Sequence, residues 1–80
     1  MNGVIKLADV TFEILEKFGV LSVSPKGWSK EINLVGWNKY PGKYDIREWD
    51  PDHQKMSKGI TLNKDEILKL RDILNKMDLE

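Results

Sequence analysis

Residues 43–62 read KYDIREWDPDHQKMSKGITL and carry the clearest structural signal in the chain. Side chains alternate between the two faces of a β-strand, so Arg47 and Trp49 would share one face while Tyr44 and Ile46 share the other. The mixture of charged, aromatic and β-branched residues at this spacing is typical of a half-exposed strand. We therefore predict a strand over residues 43–49.

A turn-rich loop and a capped helix follow this strand. Asp50-Pro51-Asp52 combines a proline, which lacks an amide donor, with two aspartates that favour turns. A short strand is predicted at about 58–62, and Asn63 then stands three residues before Glu66, the spacing of a capping box. We predict a helix over about 63–77.

The N-terminal half of the chain favours β-structure. An apolar segment at about 11–24 predicts a strand with a bulge or bend near Gly19. The turn-forming sequences SPKG at 24–27 and NKYPG at 38–42 bracket a further strand at about 28–38. We expect residues 1–10 to be loosely ordered. The predicted fold is α+β: one domain over residues 1–80, with a four-stranded curved antiparallel sheet followed by a C-terminal helix (β-β-β-β-α).

The predicted helix has a wide apolar stripe. Its members recur at helical spacing, and they are Ile67, Leu70, Ile73, Leu74 and Met77, with Leu68 beside them. This stripe is wider than a helix needs to dock on a small sheet. One sheet face could cover the whole stripe, or part of it could form a dimer interface, and the periodicity leaves both open.

Composition narrows the class of protein. A domain of 80 residues buries only about 60% of its unfolded surface, so a partner or a second copy would help to stabilise it. Cysteine is absent, which excludes disulfides and thiolate chemistry. No apolar run reaches the roughly 18 residues of a membrane span, and the N-terminus lacks the pattern of a secretory signal. We expect a cytoplasmic protein without membrane contact.

Catalysis and metal binding have little support in the sequence. His53 is the single histidine, and it lies beside two aspartates that are typical of turns. A metal site would need several nitrogen or carboxylate ligands from more than one element, and the sequence has no second histidine. A serine nucleophile would need this same histidine as its base, and the Gly-x-Ser-x-Gly motif is absent. We therefore predict no catalytic residue, no metal and no cofactor.

The open sheet face indicates a binding function. One helix covers one face of a four-stranded sheet, and Trp37, Arg47 and Trp49 are candidates for the other face, with Trp28 and Lys30 reaching it if their strand bends. Bases stack on aromatic rings with little regard to sequence, and lysine and arginine neutralise phosphates. Duplex DNA hides its base faces, so such a surface favours single strands.

The motifs YDIREW at 44–49 and KGITL at 58–62, followed by the capped helix, resemble the positive cofactor four family of single-stranded-DNA-binding transcriptional coactivators. The resemblance is strongest to its bacterial YdbC-like branch. It extends over Lys26-Gly27-Trp28, Lys30-Glu31, Val35, Trp37-Asn38, Pro51-Asp52-His53 and Lys55-Met56, which together cover most of residues 11–75.

This resemblance implies a chain that dimerises through its helix and joins two curved sheets into grooves for single-stranded DNA. Arg47, Trp49 and Lys58 resemble the DNA-contacting residues of the family, and Trp37 lies near the place of a stacking aromatic. Ser57 stands where eukaryotic members carry a second basic residue, and the chain lacks their serine- and acid-rich tail. The expected nucleic-acid contacts are Lys26, Trp28, Lys30, Trp37, Lys39, Arg47, Trp49, Lys55 and Lys58.

Two alternative functions use the same face. A protein-interaction module would dock an acidic or extended peptide there, since tryptophan, tyrosine and arginine are also the residues of protein hot spots. Single-stranded RNA is an alternative ligand, because nothing in the sequence identifies a reader of the 2′-hydroxyl.

Overall fold

The computed structural model describes residues 4–7, 10–38 and 41–80, and over these residues the chain forms an open, curved antiparallel sheet and one C-terminal helix. The elements are β1 (Val4–Leu7), β2 (Val10–Val23), β3 (Ser29–Trp37), β4 (Lys43–Trp49), β5 (Ile60–Leu62) and α1 (Lys64–Lys76). The strands lie side by side in chain order. The prediction of four antiparallel strands followed by a helix is confirmed, with one short strand added before them.

The added strand is β1, in the segment that we expected to be loosely ordered. It pairs with the start of β2, from Leu7 opposite Val10 to Val4 opposite Glu13. Its residues, VIKL, do not alternate between apolar and polar side chains, so the sequence carries no strand pattern there. Only its pairing with β2 identifies it. The expectation for residues 1–3, 8 and 9 lies outside the described residues.

Strand β2 is irregular, which explains the curvature of the sheet. Its register against β3 shifts between Ile14 and Glu16, between Lys17 and Gly19, and between Val20 and Ser22. A β-bulge bends its strand and increases the local twist. The bend that the sequence predicts near Gly19 is thus one of three irregularities.

The core lies on one face of the sheet, called here the inner face. It is formed by Phe12, Ile14, Val35 and Trp49, with Trp37 and Met56 packed against them. The long loop between β4 and β5 pairs with the end of β4 through an isolated bridge between Met56 and Trp49. Its side chains lie on the inner face, because Met56 packs against the core and the His53 ring stacks on Trp49. The inner face is therefore covered near Trp49 by the chain itself.

Helix α1 lies on the opposite face, called here the outer face. Asn63 caps the helix: its Oδ1 accepts from the Glu66 amide at 2.8 Å, and Glu66 Oε1 accepts from the Asn63 amide at 2.9 Å. Ile67, Leu70 and Leu74 line a shallow cleft with Ile32 of β3. None of the helix residues is buried, so a single chain leaves much of the apolar stripe uncovered. Within the described residues, no helix has the length and apolar character to cross a membrane.

Candidate nucleic-acid interface

An open groove lies between the turn that precedes β4 and the junction of β5 with α1. Its volume is about 860 Å³, and the residues along it include Trp37, Pro41, Lys43, Tyr44, Arg47 and Lys64. Trp37 and Arg47 belong to the inner face, whereas Tyr44 alternates onto the outer face. The groove therefore runs around the end of β4 from one face of the sheet to the other.

Trp37 and Arg47 form a stacked pair in this groove. The guanidinium carbon of Arg47 lies 4.7 Å from the centroid of the Trp37 ring. Phe12 supports the indole from within the core at a centroid distance of 5.9 Å. The indole Nε1 of Trp37 is buried and has no hydrogen-bond partner among the described residues. Trp37 consequently offers its carbon surface to the groove, and no hydrogen-bond donor.

Arg47 is held in place by Asp45. Its Nε lies 2.8 and 2.9 Å from the two carboxylate oxygens, and its Nη2 lies 2.7 Å from Oδ2. Its Nη1 donates to Met56 Sδ at 3.2 Å. The Asp45 side chain is fully buried and that of Arg47 is 12% exposed. Burial raises the pKa of Asp45, and the hydrogen bond and charge of Arg47 partly oppose this. The opposite charges of Arg47 and Asp45 largely cancel. Arg47 therefore fixes the shape of the groove but adds little net positive charge to it.

The position of Trp49 corrects an expectation from the sequence. We predicted that Trp49 stacks with bases, but its side chain is 0% exposed and belongs to the core. Phe12 packs against it at 5.2 Å, and the His53 ring stacks on it at 5.8 Å. A base has no access to this indole in the present conformation. The alternation placed Trp49 on the correct face, but it could not show that the following loop covers that part of the face.

His53 and Glu31 fix the covering loop. His53 Nε2 lies 2.8 Å from Glu31 Oε2, and Glu31 also accepts hydrogen bonds from Ser29 and Asn33. Burial raises the pKa of Glu31, but these hydrogen bonds together lower it below its usual value. His53 adopts a left-handed backbone conformation with φ 56°. Among the described residues, no group of three or more histidines, aspartates or glutamates could hold a metal ion.

The remaining predicted contacts are scattered over the surface. Lys26, Lys55 and Lys58 are exposed, Trp28 is half-buried, and none of them lines the groove. Lys30 is exposed and alternates onto the outer face, away from Arg47, because its neighbour Glu31 is on the inner face. The condition under which the sequence would bring Lys30 to the inner face, a bend in its strand, is not met at this residue, which pairs with Glu48 of β4. Lys39 lies outside the described residues.

Close packing against β4 explains why a glycine follows Lys58. A Cβ at Gly59 would collide with Arg47 Cβ and with the Ile46 carbonyl oxygen. The chain leading into β5 therefore passes directly against β4 at Arg47. The Lys58-Gly59 pair of the sequence motif combines an exposed cation with this close approach of two backbones.

Three residues of the groove were not predicted as contacts from the sequence. Lys43 and Lys64 are exposed cations, and Tyr44 is a half-buried aromatic. Lys43 opens β4, whereas Lys64 is the first residue of α1. Their closeness depends on the pairing of β4 with β5, in which Tyr44 lies opposite Leu62. The alternation of charged and aromatic residues from Lys43 was a usable signal, but nothing in the sequence connected Lys64 to it.

Comparison with known proteins identifies the family of this chain. Residues 24–73 match the family described as Transcriptional Coactivator p15 (PC4). The chain belongs to this family. The matched segment of the PC4 family runs from the turn before β3 into α1 and includes the groove residues described above. The resemblance drawn from the sequence is thus confirmed at the level of the family, and its assignment to the YdbC-like branch stays a prediction.

A bacterial relative matches over a greater length than the PC4 family does. An uncharacterized protein of Treponema pallidum (strain Nichols) is 50% identical over 72 residues, which cover 90% of this chain and 85% of the relative. This similarity includes at least part of β2, which lies before the segment that matches the PC4 family.

Proposed function

We propose that this protein is a non-enzymatic homodimer that binds single-stranded DNA with little dependence on sequence. Membership of the PC4 family indicates coactivator-type nucleic-acid binding. The observation that carries the proposal is the stacked Trp37–Arg47 pair in an open groove that also contains Lys43 and Lys64. It combines an aromatic surface for bases with cations for phosphates.

The chemistry of the groove favours unpaired strands. A base that stacks beside Trp37 would meet carbon surface, since the indole Nε1 is buried. Such a contact tolerates any base, because every base has a π-face. Stacked and paired bases in a duplex do not expose these faces. Lys43 and Lys64 form no ion pair with the described residues, so their charge is available to phosphates.

Dimerisation through α1 is part of the proposal. Ile67, Leu70, Ile73, Leu74 and Met77 form the stripe, and the last three are 45–56% exposed in the single chain. Burial of apolar area contributes about 25 cal/mol per Å², so pairing two such stripes would stabilise both chains. A small domain gains more from this than a large one.

Lys26, Lys55 and Lys58 remain candidate phosphate contacts outside the groove, since all three are exposed. Trp28 and Lys39 stay predictions. We propose that the protein acts in the cytoplasm in association with DNA. The process that it supports would be transcription, replication or repair.

The test is tryptophan fluorescence during titration with oligothymidine, duplex DNA and oligouridine at two salt concentrations. We expect strong quenching by the DNA single strand, little response to duplex, and an affinity that falls with salt by about 0.7 log units per log unit for each phosphate contacted. The oligouridine arm ranks RNA against DNA.

Trp37→Phe should remove most of the quenching. Trp49→Phe is the matched control, because the Trp49 indole is buried in the core. Trp28→Phe tests separately whether Trp28, a half-buried tryptophan outside the groove, is a further contact. Equal affinity for single-stranded and duplex DNA would contradict the stacking mechanism. A wild-type protein that binds no nucleic acid would instead favour the protein-interaction module.

A further inference from the structure

We propose that Tyr44 and Lys64 form a second subsite for single-stranded DNA at the outer-face end of the groove. One strand would then pass two aromatic–cation pairs, first Trp37 with Arg47 and then Tyr44 with Lys64. This inference rests on the function proposed above and adds a binding site to it.

The aromatic part of the subsite is a supported ring. Tyr44 stacks on Phe18 with the ring centroids 5.9 Å apart and the planes inclined by 22°. Tyr44 is half-buried and lines the groove, whereas Phe18 is 45% exposed on the outer face. Phe18 therefore supports the tyrosine ring from one side. A ring held in this way loses little conformational freedom when a base stacks on it.

The cation of the subsite is Lys64. Its Nζ lies 6.0 Å from the centroid of the Tyr44 ring, and the side chain is exposed and forms no ion pair with any described residue. The helix terminus itself is occupied, because Asn63 and Glu66 cap each other there. The positive charge offered to a phosphate is thus that of the lysine side chain.

The two pairs lie along the same groove but on opposite faces of the sheet. Arg47 and Tyr44 are three residues apart on β4, which is about 10 Å along the strand. Nucleotides on one strand are about 3.4 Å apart, so a strand that bends around the start of β4 needs at least three nucleotides to reach both pairs. Lys43 is exposed at the start of β4, next to Tyr44, and lines the same groove. A dinucleotide could occupy one pair, while a longer strand would occupy both.

This spacing defines the experiment. Fluorescence measures the binding of a series of oligothymidines, from a dinucleotide upward. The proteins compared are the wild type, Lys64→Gln, Tyr44→Leu, Tyr44→Phe and, for the first pair, Trp37→Leu. Lys76→Gln is the matched control, since Lys76 is an exposed lysine in the last turn of α1.

With long strands, Tyr44→Leu should weaken binding by roughly 5- to 150-fold, the range for loss of one base–aromatic stack. Tyr44→Phe and Lys76→Gln should bind as the wild type does. Lys64→Gln should reduce the slope of log affinity against log salt by about 0.7. With the dinucleotide, the Tyr44 and Lys64 variants should bind as the wild type does, while Trp37→Leu should not.

The outcomes separate the inference from the proposed function. Long strands that bind Lys64→Gln and Tyr44→Leu as tightly as the wild type would overturn the second subsite and leave the Trp37 groove in place. A wild type that binds no single strand would overturn both. Thermal unfolding shows whether Tyr44→Leu is folded, and Lys64→Gln changes only an exposed side chain, so it tests the subsite independently.

Discussion

Replacement of Arg47 by alanine should mainly lower the free energy of unfolding of the protein. Arg47 has contacts of 2.7–2.9 Å with both oxygens of the fully buried Asp45 carboxylate. Removing one partner of a buried ion pair leaves the other charge uncompensated and costs about 3–5 kcal/mol. A domain of this size has a total unfolding free energy of about 4–12 kcal/mol. Arg47→Ala should therefore lose a large fraction of the stability of the protein at neutral pH.

The pH dependence of this variant has a defined sign. Burial raises the pKa of Asp45, and Arg47 opposes that rise, so the pKa should rise further in Arg47→Ala. A carboxyl group with a higher pKa in the folded chain than in the unfolded chain binds more protons when folded. The free energy of unfolding then increases as the pH falls through the folded-state pKa. Mild acidification should restore part of the lost stability.

The assay is urea unfolding at neutral and at mildly acidic pH. The protein concentration is held fixed, because the proposed dimer would make stability depend on concentration. The double variant Asp45→Asn/Arg47→Ala is the control. It removes both charges and should be more stable at neutral pH than Arg47→Ala. A loss below about 1 kcal/mol in Arg47→Ala, or no response to acid, would refute the assignment of Arg47 to a buried pair.

The core, the His53–Glu31 contact and the exposed helix stripe each lead to one further prediction. Trp49→Ala should cost about 3–5 kcal/mol of stability through the cavity that it leaves in the core, as measured by urea unfolding, and a stable variant with weakened DNA binding would contradict this placement. The pKa of Glu31 is lowered in the folded chain, so the stability that this carboxylate contributes is lost as the pH falls through its folded-state pKa. His53→Asn, a change that the left-handed backbone tolerates, should move the midpoint of acid unfolding to higher pH. An unchanged midpoint would show that His53 does not stabilise the Glu31 carboxylate. Ile73→Glu should convert the proposed dimer to a monomer of 9.3 kDa in sedimentation equilibrium, and a variant that still has the mass of a dimer would place the interface elsewhere.

Short stretches of the sequence determine several strands and the start of the helix of this protein. The strand at 43–49 follows from the alternation of its side chains, and the start of the helix follows from the reciprocal pattern of Asn63 and Glu66. These features depend on neighbouring residues, so they can be inferred without the fold. The motifs in the same stretches also sufficed to identify the PC4 family.

The accessibility of each side chain depended on the tertiary structure. Trp37 and Trp49 both alternate onto the inner face, yet Trp37 lines an open groove whereas Trp49 is covered by Met56 and His53 from a loop further along the chain. Lys64 reaches the groove only because β5 pairs with β4. The period of a strand assigns a residue to a face, but exposure depends on which distant segment packs there, and those contacts have no counterpart in local sequence.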